Sequence, residues 1–350
     1  MLFFDEIQAC PEALSSLRFF YEKMPELHVI AAGSLLEFAL AHIPSQGVGR
    51  IHSLFLYPFS FDEFLQALEE TSLIEMKNNA DAKHPLDNIF HQKLIDHLKI
   101  FYLIGGMPEI VKEFVVSKDI LSCQKKINDI TETLKDDFAK YKKRSPVQRL
   151  KEVFDSIALQ TGGKFKYSNI DGSSSHYFFK EALSLIVQAG LAYKIFHSAA
   201  QGIPLGAQIK INKFKVILSD TGIHQKVLGL DISNIVSAQN IEVINKGNLA
   251  ELFTGMEILK NFDPEKRGQL YYWHREKRSS NAEVDYLLQK DDKIIPIEVK
   301  AGIKGKMQSM RIFIQEHSSP YGIRISLENF SQQGNIYNYP LYAISNILRK

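Results

Sequence analysis

The sequence predicts a multidomain α/β protein. Three observations carry that expectation. From Met1 to about Phe64, short apolar runs alternate with a helical pattern. From Phe61 to about Ser145 the spacing is helical throughout. From about Ile241 onward, strands that alternate at period two lie between helices. A chain of 350 residues has room for two or three such units.

In the first part, Leu2-Phe3-Phe4 is a strand that runs into Asp5-Glu6. Pro11 to Tyr21 is helical, with Leu14, Leu17 and Phe20 on one side. His28 to Ala32 is a second strand, stopped by Gly33-Ser34. Continuous apolar strands joined by helices predict a parallel sheet covered on both faces. Helices near 61–70, 87–104 and 119–142 follow. The last of them ends in Lys140, Lys142, Lys143 and Arg144, a solvated, dipole-complementing end rather than a DNA patch.

Val147 to Thr221 reads as helix, short helix, helix and hairpin, the order of a winged helix. Ser173-Ser174-Ser175 offers N-caps for its last helix, and Gly190 stops it. Ala192–Phe196 and Phe214–Leu218 form the hairpin. Such modules bind DNA or serve as protein adaptors, and both partners stay open. The last part opens with a helix at Gly247–Phe262. Strands follow at Gln269–Trp273, Glu283–Gln289 and Ile294–Lys300, then a helix near Lys306–His317. The boundaries are 1–64, 65–146, 147–235 and 236–350.

Composition narrows the class. Hydrophobic residues make up 45% of the chain and charged residues 23%, enough for a core in each unit. The formal net charge of +2 neither demands nor excludes nucleic acid. Cys10 and Cys123 stand far apart, so neither a disulfide scaffold nor a cysteine zinc site is expected. Asp5 and Glu6 interrupt the first apolar run, which rules out a signal peptide there, and no stretch suits a membrane span. The expected location is the cytoplasm.

The strongest chemical signal lies between Ala282 and Lys300. Two period-two runs flank Lys290-Asp291-Asp292-Lys293, a polar cluster that suits a tight hairpin turn. A turn centred between Asp291 and Asp292 sets Asp285 opposite Glu298, whatever the loop length. Val284, Tyr286, Leu288, Ile295, Ile297 and Val299 then share a buried face. Glu283, Asp285, Glu298 and Lys300 share the other. Opposed Cβ atoms lie about 4.5–5.5 Å apart. Two carboxylates at that distance call for a cation, and oxygen ligands with an open shell suit Mg²⁺ or Mn²⁺. Lys300 is placed to orient or deprotonate an attacking water, or to stabilise phosphate charge. A surface ion-pair ladder of Glu283, Glu298 and Lys300 is the alternative.

Asp285 followed by Glu298-Val299-Lys300 resembles the D…(D/E)xK core of the PD-(D/E)XK nuclease superfamily. That resemblance implies a restriction-endonuclease-like α/β domain. It also makes Glu251, in Gly247-Asn248-Leu249-Ala250-Glu251, a third metal ligand beside Asp285 and Glu298.

Leu2-Phe3-Phe4-Asp5-Glu6 resembles a Walker B element, in which the Asp holds Mg²⁺ and the Glu polarises water. Asp5-Glu6-Ile7-Gln8-Ala9-Cys10-Pro11, Ala31-Ala32-Gly33-Ser34 and Tyr57-Pro58-Phe59-Ser60-Phe61-Asp62-Glu63-Phe64 all resemble one group. So do Gly105-Gly106-Met107-Pro108-Glu109 and Ser219-Asp220-Thr221-Gly222. These are prokaryotic AAA-type ATPases with a C-terminal domain of unknown function. The resemblance implies a partial P-loop sheet and a helical lid-like region. It gives Asp5 and Glu6 catalytic roles, Ser34 the sensor position and Arg50 a nucleotide phosphate. No G-x-x-x-x-G-K-[ST] loop occurs in these 350 residues. ATP binding and hydrolysis are therefore expected in relatives with that loop and impaired here, as in a truncated product. His28–Ala32 should then be a sheet edge. A Mg²⁺-dependent DNA endonuclease and a non-enzymatic DNA- or protein-binding adaptor are the alternatives.

Overall fold

The structure is a computed structural model that describes residues 1–33, 49–141, 144–172, 175–230, 246–276, 281–300, 302 and 307–349. Its first unit is small. Strand β1 (Leu2–Phe4) pairs in parallel with β2 (Val29–Ala31), and helix α1 (Pro11–Lys23) connects them. Pro11 sits in the first turn of α1, where its missing N–H costs nothing. Among the described residues the sheet has these two strands only, so β2 is an edge. Phe3 and Ile30, paired across it, are both exposed.

The middle is helical, as expected, but with more helices. They are α2 (Phe61–Ala67), α3 (Thr71–Asn79), α4 (Asn88–Ile104), α5 (Pro108–Ser117) and α6 (Ile120–Asp137). Ser60 begins α2 with a capping box: it accepts from the Glu63 N–H while the Glu63 carboxylate accepts from the Ser60 N–H. Helices α3 and α5 went unforeseen. Helices this short form because tertiary packing holds them, not because of local propensity. At the basic end of α6, Lys140 pairs with Asp137 at 2.7 Å, while Lys142 and Lys143 lie outside the described residues.

Next come α7 (Val147–Gln160), a 3-10 turn at Tyr167–Asn169, α8 (His176–Gln188), and strands β3 (Ala192–Ser198) and β4 (Ile209–Leu218). Element order matches the expectation. Ser175 does occupy the N-cap position of α8, but its side chain makes no capping bond. Ser173 and Ser174 lie outside the described residues. The β3–β4 hairpin does not stand alone. β3 pairs in parallel with β5 (Leu270–His274), so one sheet crosses the expected division near residue 235.

Among the described residues that sheet has eight strands in the order β4-β3-β5-β6-β7-β8-β10-β9. The added strands are β6 (Glu283–Lys290), β7 (Lys293–Val299), β8 (Gly322–Ser326), β9 (Ser331–Gln333) and β10 (Ile336–Pro340). Helices α9 (Thr221–Val227), α10 (Lys246–Lys260), α11 (Gln308–His317) and α12 (Ile344–Arg349) complete it. The architecture is mixed α/β around a large mixed sheet. No described helix is long and apolar enough to cross a membrane.

From Tyr286 to Lys290 the β6–β7 register is the expected one, but the ladder stops short of the expected Asp285–Glu298 pair. Tyr286 pairs with Ile297, Leu288 with Ile295, and Lys290 with Lys293 around a two-residue turn. Asp291 takes the left-handed conformation there, with φ 52°. A further expectation fails. Between Tyr271 and Trp273 the β5–β6 register shifts by one residue. The extra residue reverses the alternation of β6. Val284 therefore packs with Leu287, Ile294, Trp273 and Phe313 in a separate apolar cluster. Tyr286, Leu288, Ile295, Ile297 and Val299 join the main core.

A buried polar junction locks these parts together. Asp220 caps α9 by accepting from the Ile223 N–H at 3.0 Å, and also accepts from the Gly106 N–H at 2.7 Å. A side chain at Gly105, whose φ is +73°, would strike the Asp220 carboxylate. Gly106 abuts the Phe59 carbonyl too closely for any Cβ, and its own carbonyl accepts from the Phe59 N–H at 2.7 Å. Glu257 of α10 accepts from the Phe61 N–H at 3.2 Å, and Lys260 donates to the Phe59 carbonyl at 2.8 Å. Asp220→Ala should strand two buried N–H donors. We expect a loss of about 3 kcal/mol, read as a lower urea midpoint with an unchanged slope. A midpoint equal to wild type would show that the junction is dispensable.

Candidate functional site

Two places hold the residues singled out from the sequence. The first is the end of β1. Asp5 and Glu6 follow the strand directly and are both exposed. Glu6 has φ 48° and ψ 41°, a left-handed conformation that costs a non-glycine residue energy. The Asp5 carboxylate accepts from the Glu6 N–H at 3.0 Å, and the Gln8 amide donates to the Glu6 carboxylate. The β1–β2 pairing runs on past the strands, with Ala32 donating to the Phe4 carbonyl at 2.8 Å and Ile7 to the Ala32 carbonyl at 3.1 Å. Ser34 lies outside the described residues. Arg50 faces α1, where it pairs with Glu22 at 3.1 Å.

The second place lies where β4, α10 and β6 meet. α10 puts Glu251 over the sheet, and the Tyr286 hydroxyl, from β6, donates to the Glu251 carbonyl at 2.7 Å. Gly255 lets that ring approach: a Cβ there would stand 2.5 Å from the Tyr286 hydroxyl. Asp285 sits in the bulged part of β6, and its carboxylate accepts from the Val299 N–H at 2.8 Å. Glu283 is two residues earlier on the same strand.

Lys215 of β4 reaches into this group. Its ammonium lies 2.6 Å from Glu283, 3.4 Å from Glu251 and 3.8 Å from Asp285. Its side chain is 2% exposed. The sequence reading missed Lys215. One signal was available: it is the charged residue in Phe214-Lys215-Val216-Ile217-Leu218, an otherwise apolar strand, and a buried charge needs partners.

Glu298 and Lys300 form a second pair beside the first group, 2.7 Å apart. Of the expected ladder only this pair forms, because Glu283 turns to Lys215. Glu298 is nearly buried, and its Oε2 has no hydrogen-bond partner. Burial raises its carboxyl, opposed by Lys300. Among the described residues, no group of three His, Cys, Asp or Glu side chains is arranged to hold a metal ion. The expected ligands Glu251, Asp285 and Glu298 are thus neighbours, but the space between the first two and Glu283 holds an ammonium.

Burial pushes the Glu251 carboxyl up to about 8, helped by repulsion from Asp285 and opposed by Lys215. Burial likewise raises Asp285. Despite its burial, Lys215 is held above the ordinary lysine range by Glu251, Asp285 and Glu283. An unfolded glutamate titrates near about 4.3. Folding therefore takes up a proton at Glu251 between that value and about 8. The stabilisation is complete below the unfolded value and is lost as pH rises through the folded one. Urea midpoints should fall from pH 5 to pH 8.5, and Glu251→Gln should flatten that fall. An equally steep fall in the variant would assign the proton elsewhere.

Family models match three stretches of the sequence. Residues 1–65 match an AAA domain. Residues 95–234 match a domain of unknown function (DUF8612), and residues 246–344 match another (DUF4143). No curated protein matches the sequence. The chain thus joins an AAA domain, with β1, Asp5 and Glu6 inside it, to a DUF4143 domain that holds Glu251, Asp285, Glu298 and Lys300.

Proposed function

We propose that this chain acts as an AAA-type ATPase-like protein, with its nucleotide chemistry at the end of β1. In this reading the C-terminal domain, nuclease-like in arrangement, binds a partner rather than cutting it. The observation that carries the reading is Asp5-Glu6 directly after the carboxyl end of a parallel strand, within the stretch that matches an AAA domain. Ligands of open parallel sheets bind at that end. Asp5 would hold the Mg²⁺ of bound ATP, and Glu6 would take a proton from the attacking water. A bound nucleotide also needs backbone N–H groups and a lysine around its phosphates. The 350 residues contain no G-x-x-x-x-G-K-[ST] loop to supply them. We therefore expect this chain alone to bind ATP weakly.

The binding role rests on Lys215 among the carboxylates and on a groove beside them, formed where the segment matching DUF8612 meets the C-terminal domain. The groove has a volume of about 660 Å³ and is lined by Gly162, Gly163, Lys164, Lys166, Asn248 and Glu283, among others. Lys164 and Lys166 are exposed there. Lysines beside glycine backbone suit the phosphates of DNA, the partner class we favour.

Calorimetry with ATP and Mg²⁺ should show no micromolar binding. A fusion that carries a strand, a G-x-x-x-x-G-K-[ST] loop and a helix ahead of β1 should hydrolyse ATP. Glu6→Gln should then lower the rate by about 100-fold or more. An unchanged rate would sink the assignment of Glu6. Plasmid DNA should survive incubation with Mg²⁺ or Mn²⁺. Cleavage that disappears in Asp285→Ala and Lys300→Ala would replace the binding role with an endonuclease.

A further inference from the structure

The acids at Glu251, Glu283 and Asp285 come from the segment that matches DUF4143, whereas Lys215 comes from the segment that matches DUF8612. The ammonium is thus delivered across the sheet from a distant part of the chain. It is nearly inaccessible to solvent, and its Nζ lies 5.4 Å from the centre of the Tyr272 ring. An ammonium has three N–H donors, and three carboxylates surround this one.

Burial makes each side of the cluster depend on the other. A desolvated ammonium is unstable without anions, and carboxylates this close repel without a cation. A divalent ion would meet the same need, with oxygen ligands at about 2.0–2.6 Å. The space where those ligands would converge is filled by Nζ, 2.6 Å from Glu283 and 3.4 Å from Glu251. Glu298 stands outside the group held by this ammonium, with its Oε1 paired to Lys300 at 2.7 Å. The metal implied by the D…ExK resemblance therefore does not fit these residues as they stand.

We propose that Lys215 is the resident cation of this centre and excludes divalent ions from the Glu251–Glu283–Asp285 cluster. The inference is independent of the nucleotide reading, since none of its residues lies in the AAA-matching segment. If it failed, that reading would be untouched.

The test uses the full chain and Mn²⁺ alone, with bound Mn²⁺ followed by electron paramagnetic resonance and stability by thermal melting. Wild type should show no Mn²⁺ site that Asp285→Asn abolishes. Lys215→Met keeps the length of the side chain and removes its charge. It should acquire a Mn²⁺ site at least about 10-fold tighter than any in wild type, and its melting temperature should rise with Mn²⁺. Adding Asp285→Asn to Lys215→Met should remove both effects. Three outcomes would overturn the proposal. One is a wild-type Mn²⁺ site that depends on Asp285. Another is a folded Lys215→Met chain with no gain in binding. The third is a Lys215→Met chain that stays unfolded in millimolar Mn²⁺, since a cation able to replace the ammonium should restore the fold.

Discussion

The buried Asp220 carboxylate is the contact on which the packing of the rest of the molecule depends. Burial raises its pKa, and N–H groups of Gly106, Ile223 and Gly222 draw it back down. Gly106 follows the end of α4, while Gly222 and Ile223 lie in the first turn of α9. Satisfying them brings the end of α4 and the start of α9 to one point, and Gly106 ties in the segment leading to α2 through the Phe59 N–H. Glu257 and Lys260 extend the same point to α10. Because α10 lies over the sheet, the position of Glu251 follows from this junction as well. Glycines at 105 and 106 are needed for close backbone approach, not for flexibility.

The two buried charge groups follow different logic. At the junction, carboxylates are matched mostly by backbone N–H groups, which cannot leave. At the centre on β4, α10 and β6, carboxylates are matched mainly by one buried side chain, with the Val299 N–H as an added partner of Asp285. A backbone partner makes a group structural, while a side-chain partner makes it exchangeable in principle. Glu298 stands apart from both groups, with Oε1 on Lys300 and Oε2 buried without a hydrogen-bond partner.

Local patterns were legible in the sequence, and long-range ones were not. The β6–β7 register follows from two period-two runs about one polar centre. The bulge in β6 leaves no trace in that period, because it is defined only against β5. Its effect is visible at Val284, which changes clusters. Lys215 stayed hidden for a similar reason: its partners lie on elements that sequence spacing does not connect. The motifs around Gly105-Gly106 and Ser219-Asp220 stood out as patterns. That they bind each other became evident only from the fold. Short helices such as α3 and α9 were missed because packing and one cap, not periodicity, produce them.

Lys77 belongs to α3, yet its ammonium is fully buried and held by Asp62, Asn78, Ser345 and Asn346. Asn346 returns a bond from its amide to the Lys77 carbonyl at 2.7 Å. Two of these partners are separated from Lys77 by 268 and 269 positions. During synthesis, α3 would emerge long before them. In a growing chain that ammonium would have Asp62 and Asn78 at hand but would lack its other two partners until residues 345 and 346 arrived. The last helix would then act as a seal, so that the front helices reach their final packing only after the far end has been made.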